Sequence, residues 1–307
     1  MLSISLNHSR MSDLFRARIQ CPFHITTMQN LVRDTSHEWF TNLAKADLRD
    51  YNRAMLGVFL PAVMERRFLF FARHVAGTCC CRNATEFEHL LHNRPIRVAV
   101  VNPVSDGASS TNHIADLIAG YPSIRFVGYF ALEPQAFDSV VKVCHAGLQN
   151  SLLFGYEYGA EEISRLLSAK PIPILLSLFR VLRPREHALP DVVRPLLVRI
   201  LKDPESITSV ESVARQYELS LSRTYRSFKT AGLPSPSALL MCAKLLCAYT
   251  YIKDPRSSVS GVARKVGYQD VRTLRSHSEQ VFGLPPSFLA GMTEERAIDC
   301  VRGHILT

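Results

Sequence analysis

The sequence predicts a parallel five-stranded α/β domain over residues 54–169, followed by an all-α domain over residues 191–290. Three observations carry this. In the first region short apolar runs alternate with amphipathic segments, the order that a parallel sheet covered on both faces requires. From residue 191 onward only helix-length periodic segments remain. Among those segments, one pattern of residues occurs twice.

The strands are expected at Met55–Leu60, Thr78–Arg82, Ile96–Asn102, Arg125–Leu132 and Ser151–Phe154. Helices are expected after them at Ala62–His74, Thr85–His92, Thr111–Gly120, Pro134–His145 and Ala160–Ala169. The apolar runs are continuous, as in Val98-Ala99-Val100-Val101, because a strand buried on both faces cannot alternate with polar residues. Pro134 suits a first helical turn and Gly147 a helix end.

Residues 170–190 carry Pro171, Pro173, Pro184 and Pro190 and read as a linker with a short apolar helix, Ile174–Leu182. Helical segments follow at Val192–Leu201, Val210–Tyr217, Leu221–Thr230, Ser235–Ile252, Val259–Val266 and Val271–Val281, with a further one beginning near Ser287. Residues 1–53 read as an arm or small helical segment and 291–307 as a tail.

Composition narrows the function. Of 307 residues 47% are apolar and 21% charged, a globular balance that excludes collagen-like, coiled-coil and disordered chains. The formal charge of +9 suits a polyanionic partner. Residues 1–18 contain no apolar leader core. Glu65-Arg66-Arg67 breaks the run Met55–Ala72 and Lys244 breaks Leu239–Ile252, so a cytoplasmic chain without a membrane span is expected. The eight cysteines form no C-x-x-C pair and read as free thiols. Cys79-Cys80-Cys81 lies near His89 and His92, but consecutive strand residues point to opposite faces and cannot converge on one ion. Buried strand thiols are expected there, and no metal or cofactor.

The repeat carries the chemistry. Val213-Ala214-Arg215 and Val262-Ala263-Arg264 each place a small Ala where two helices cross closely, followed by a short turn and a second helix rich in Arg and hydroxyl residues. That is the outline of a helix-turn-helix, whose second helix enters the major groove. Ser220 is a suitable N-cap for the first such helix. Thr224 and Phe228, four apart, face inward, leaving Ser222, Arg223, Tyr225, Arg226 and Lys229 outward. Gln269, Arg272, Thr273, Arg275 and Ser276 form the corresponding arc of the second unit. Arg can bond guanine in a bidentate manner, and Ser or Thr can reach bases or phosphates.

Residues 191–290 resemble the DNA-binding domain of the AraC/XylS family of transcription regulators. The matching features are Glu211-x-Val213-Ala214, the Ser220 cap, Arg226-x-Phe228-Lys229, the connecting helix from near Pro236, Val262-Ala263-Arg264-x-x-Gly267-Tyr268, and Phe282-Gly283-Leu284-Pro285-Pro286-Ser287-Phe288. The resemblance implies seven helices, two helix-turn-helix units joined by one long helix, and two successive major-groove contacts. The chain departs from it in the second unit. Ser278 stands where a core aromatic is usual, a loss of about 3–5 kcal/mol if nothing fills the space. Glu279 replaces a cation, and Thr224 replaces a usual Leu in the first unit. Residues 191–307 hold 16 Lys+Arg against 11 Asp+Glu, a modest surplus.

The α/β region resembles a two-component receiver domain, best at Arg94–Gly107. That chemistry needs acids to bind Mg²⁺, an Asp to attack phosphorus, and a hydroxyl and a Lys to respond. Here the first strand ends Leu60-Pro61, Asn102 stands at the nucleophile position, Phe130-Ala131 replaces the hydroxyl, and Phe154-Gly155-Tyr156 replaces the Lys. Asp106 is the nearby acid and reads as a turn residue before Gly107. A pseudo-receiver is expected, serving regulation or dimerisation. The combined expectation is a transcription regulator, not an enzyme. Its partners would be double-stranded DNA, RNA polymerase or another regulator, and a second copy of the chain. The alternatives are a phosphorylation-dependent response regulator, and a protein-interaction module with a degenerate second helix-turn-helix.

Overall fold

The structure, a computed structural model, describes residues 55–74, 77–104, 108–167, 172–186 and 188–306. The arm expected over 1–53 and the turn holding Asp106 lie outside the described residues.

Five strands, β1 (Met55–Phe59), β2 (Thr78–Cys80), β3 (Ile96–Val101), β4 (Arg125–Phe130) and β5 (Asn150–Leu153), form one sheet. Its order is β2-β1-β3-β4-β5 and every pairing is parallel, the flavodoxin-like topology. The intervening helices are α1 (Ala62–Phe71), α2 (Ala84–Asn93), α3 (Ala108–Gly120), α4 (Phe137–His145) and α5 (Ala160–Leu167). Pleating divides β3 between two cores. Val98 and Val100 pack with Phe68 of α1 and with Ile163 and Leu167 of α5. Ala99 and Val101 pack with Phe87 and Leu91 of α2, Leu117 of α3 and Val143 of α4. Burial on both faces is what makes the strand a continuous apolar run.

The helices after the sheet are α6 (Pro173–Glu186), α7 (Arg194–Lys202), α8 (Val210–Gln216), α9 (Leu221–Thr230), α10 (Pro236–Ile252), α11 (Val259–Lys265), α12 (Val271–Phe282) and α13 (Glu294–Leu306). Helix α10 is apolar around most of its circumference. Leu239, Cys242, Leu245, Leu246, Tyr249 and Tyr251 are all buried, so it must run through the middle of its neighbours. Helices α6, α7, α11, α12 and α13 surround it. The short apolar helix expected at Ile174–Leu182 within residues 170–190 is present and longer, as α6, a helix of 14 residues. Ile174, Leu175, Leu178, Phe179 and Leu182 bury its apolar face against this helical body. The tail expected after residue 290 is a short 3-10 helix ending at Gly291 and then α13, which buries Ala297, Ile298, Val301 and Ile305.

The sheet and the helical body pack directly on one another. Arg97, on β3, donates to Glu205 at 2.5 Å and to the Lys202 carbonyl at 3.2 Å. The Tyr251 hydroxyl donates to the other Glu205 oxygen at 2.7 Å. Burial works most strongly against the Arg97 charge, but Glu205 together with Tyr251, Cys247 and Asp203 outweighs it and holds the guanidinium protonated. The Ser123 N–H and hydroxyl donate to Asp254 at 2.9 and 2.5 Å. Helix α2 lies against α11.

Candidate nucleic-acid interface

Two helix pairs, α8–α9 and α11–α12, are built alike. Ser209 caps α8 by accepting from the Ser212 N–H, and Ser258 caps α11 by accepting from the Gly261 N–H. Past each first helix the chain turns with the same hydrogen bond. The Leu219 N–H donates to Ala214 O in one pair and the Tyr268 N–H to Ala263 O in the other, both at 2.9 Å. The residue before each of these donors, Glu218 or Gly267, takes positive φ. Ala214 and Ala263 are buried at the crossing, where a larger side chain would hold the helices apart.

The second helices begin with different caps. Ser220 accepts from the Arg223 N–H at 3.3 Å, whereas Asp270 accepts from the Thr273 N–H at 2.8 Å. The second turn is one residue longer, so Thr224 corresponds to Leu274 and Phe228 to Ser278. All four are buried. The Thr224 hydroxyl donates to Ser220 O at 3.0 Å and the Ser278 hydroxyl to Leu284 O at 2.7 Å. Ser278 therefore sits in a closed position, its one polar group satisfied.

The outer faces carry the expected side chains. On α9 Ser222, Arg223, Tyr225, Arg226 and Lys229 are exposed, and around α12 so are Gln269, Arg272, Arg275 and Ser276. Thr273 departs from the expected arc. It is half-buried and its hydroxyl donates to the Asp270 carboxylate at 3.0 Å, so it completes the cap. Those two bonds from Thr273 hold the Asp270 carboxyl below its usual range. Sequence reasoning missed Asp270, although an Asp directly before Val271 is itself a capping signal.

The two helices border a common cleft of about 550 Å³, lined by Leu221 and Tyr225 from α9 and by the Asp270 cap, Thr273 and His277 at α12. Its floor is polar. Lys244 donates to Gly267 O at 3.2 Å and lies 5.6 Å from the centre of the Tyr268 ring, whose hydroxyl meets His277 Nδ1 at 3.0 Å. Burial lowers the His277 pKa, with the Lys244 charge adding to it. Helices α9 and α12 thus both border this cleft, and each also carries exposed basic and hydroxyl groups.

At the receiver-like position Asn102 is buried. Its Oδ1 accepts from the Val104 N–H at 2.9 Å and its Nδ2 faces Met64 Sδ at 3.6 Å. Leu60 and Phe130, where a receiver would carry polar groups, are buried and apolar. The cysteine cluster differs from expectation. Cys81 is buried, but Cys79 is half-buried and Cys80 exposed. The reason is that β2 is an edge strand, leaving part of it open to solvent. Burial pushes the Cys81 thiol up to about 11. Among the described residues no group of three or more His, Cys, Asp or Glu stands together to hold a metal ion, and no helix is long and apolar enough to cross a membrane.

Neither models of known protein families, nor curated proteins, nor solved structures match this chain.

Proposed function

We propose that the chain is a sequence-specific transcription regulator that binds double-stranded DNA, with helix pairs α8–α9 and α11–α12 acting as two helix-turn-helix units of the AraC/XylS type in successive major grooves. One observation carries this reading. The pairs share a Ser cap on the first helix, the same turn hydrogen bond beside a positive-φ residue and a buried Ala, and their Arg-bearing helices border the same cleft. Most of the affinity then comes from neutralising phosphates, with Lys229, Arg223 and Arg275 in that role. Arg226 and Arg272 are the leading candidates for reading guanine edges.

The sheet domain serves regulation or dimerisation in this proposal, without phosphoryl transfer. An amide already bonded to the Val104 N–H, set among apolar side chains, offers neither a nucleophile nor charge for a divalent cation. RNA polymerase or another regulator is the partner to which DNA binding would be relayed. The role is binding rather than catalysis.

The test is selection of bound sequences from randomised duplex DNA, repeated at two salt concentrations. Enrichment of one motif, with affinity falling steeply as salt rises, supports the proposal. Salt-sensitive binding with no enriched motif would reduce it to a non-specific polyanion contact.

A further inference from the structure

We infer that the docked sheet domain masks the second helix pair: α2 occupies the outer face of α11, and a DNA backbone must compete with it there. The inference rests on the DNA-binding proposal and adds its regulation. In a helix-turn-helix the first helix crosses the sugar-phosphate backbone, so its outer face must be open. The two pairs differ on this point.

On α8 that face is free. Ser209, Glu211, Arg215 and Gln216 are exposed, and Arg215 pairs only with Glu211, at 2.9 Å, on its own helix. The equivalent residues around α11, 49 positions on, are Ser258, Ser260, Arg264 and Lys265. Ser258 Oγ meets His92 Nε2 of α2 at 2.8 Å, and Arg264 donates to Asn93 Oδ1 at 2.7 Å. Gly261 lies so close that a Cβ there would stand 2.6 Å from His92 Nε2. Arg256, just before α11, pairs with Glu88 of α2 at 2.7 Å, and its N–H donates to Gly120 O.

Lys265 is the clearest sign that this contact is not optimised for permanence. It is 1% exposed, and its ammonium has no hydrogen-bond partner. It lies 5.1 Å from the Tyr121 ring of the sheet domain and 5.0 Å from the Tyr251 ring of α10. Asp254, His92 and Arg264 are the other charged or titratable groups around it. A buried cation only partly compensated by these rings and by Asp254 opposes docking, and the same cation, once released, suits a phosphate. Docking therefore buries Lys265, half-buries Ser258 and ties the still exposed Arg264 to Asn93, on the surface the second unit would use.

The test uses full-length protein on a selected duplex, with hydroxyl-radical footprinting and hydrogen exchange at residues 84–93 and 259–265. Gly261→Leu wedges α11 from His92, and the double variant His92→Ala, Asn93→Ala removes the contacts from the other side without adding bulk. Wild type should protect one half-site. The opened variants should exchange faster at both helices, protect a second half-site roughly 10 base pairs away, and gain on the order of a hundredfold in affinity. The masking idea fails if wild type already protects both half-sites, if neither variant speeds exchange, or if faster exchange leaves footprint and affinity unchanged; the DNA-binding proposal survives all three. Absence of sequence-selective binding by wild type and opened variants alike would remove both.

Discussion

Glu218 and Gly267 hold the same place in the two helix pairs, each two residues past the end of a first helix, and both sit at positive φ, 54° and 73°. The turn demands this conformation whatever residue fills it. A left-handed backbone costs a non-glycine residue about 1–2 kcal/mol. Glu218→Gly should therefore raise stability by about 1 kcal/mol, or roughly 2–4 °C in melting temperature. Gly267→Ala should lower it by about 2–4 kcal/mol, since the added Cβ is strained and also meets the Glu205 carbonyl oxygen at 2.8 Å. Thermal melts of the two variants check the pair, and equal effects at both positions would contradict the shared turn.

Ser278 makes a similar prediction for the second unit. A hydroxyl buried at the position of Phe228 in the first pair donates to Leu284 O at 2.7 Å. Ser278→Ala leaves that carbonyl without this donor and should cost about 1–3 kcal/mol by urea denaturation. A neutral result would mean that the carbonyl finds another partner at no cost.

The Arg97–Glu205 pair joins sheet to helical body in a nearly dry site. Arg97→Met or Glu205→Gln alone should cost about 3–5 kcal/mol, because each leaves a buried polar partner behind. The double variant should lose less than the sum. A double-mutant cycle by chemical denaturation measures the difference, and strict additivity would show that the pair is not coupled.

Lys265 gives a dependence on pH. Burial, offset only in part by Asp254, brings its pKa down to about 8 from the ordinary 10.5. The folded state thus disfavours the charged form. Below about pH 8 the full penalty, about 3 kcal/mol, is present, and it fades as pH rises toward 10.5. Lys265→Met removes it. The stability gap between variant and wild type should be widest near pH 7 and narrow between pH 8 and 9.5. A gap independent of pH would mean that Lys265 keeps its ordinary pKa.

Much of the fold was legible because doubly buried strands are written as unbroken apolar runs. Val98–Val101 could be little else, and strand and helix positions follow such runs to within a few residues. Helix α6 was legible only in its middle, Ile174–Leu182, because its prolines read as breaks, whereas Pro173 opens the helix and Pro184 falls in its last turn. The exposed faces of α9 and α12 followed from helical spacing alone. Thr273 did not, since its partner is the Asp270 cap. The contacts of His92 with Ser258, Arg97 with Glu205 and Lys265 with Tyr121 join residues more than a hundred positions apart, and no local pattern announces them.

In the proposed regulator, arginine-bearing helices read bases. Selection from randomised duplex DNA, run in parallel with wild type and with Arg226→Ala and Lys229→Ala, tests it most directly. Wild type should enrich one motif. Arg226→Ala should lose preference at a single guanine position, worth about 1–3 kcal/mol. Lys229→Ala should keep the motif and reduce the salt slope by about one. Identical motifs from wild type and Arg226→Ala, or no motif from either, would contradict it.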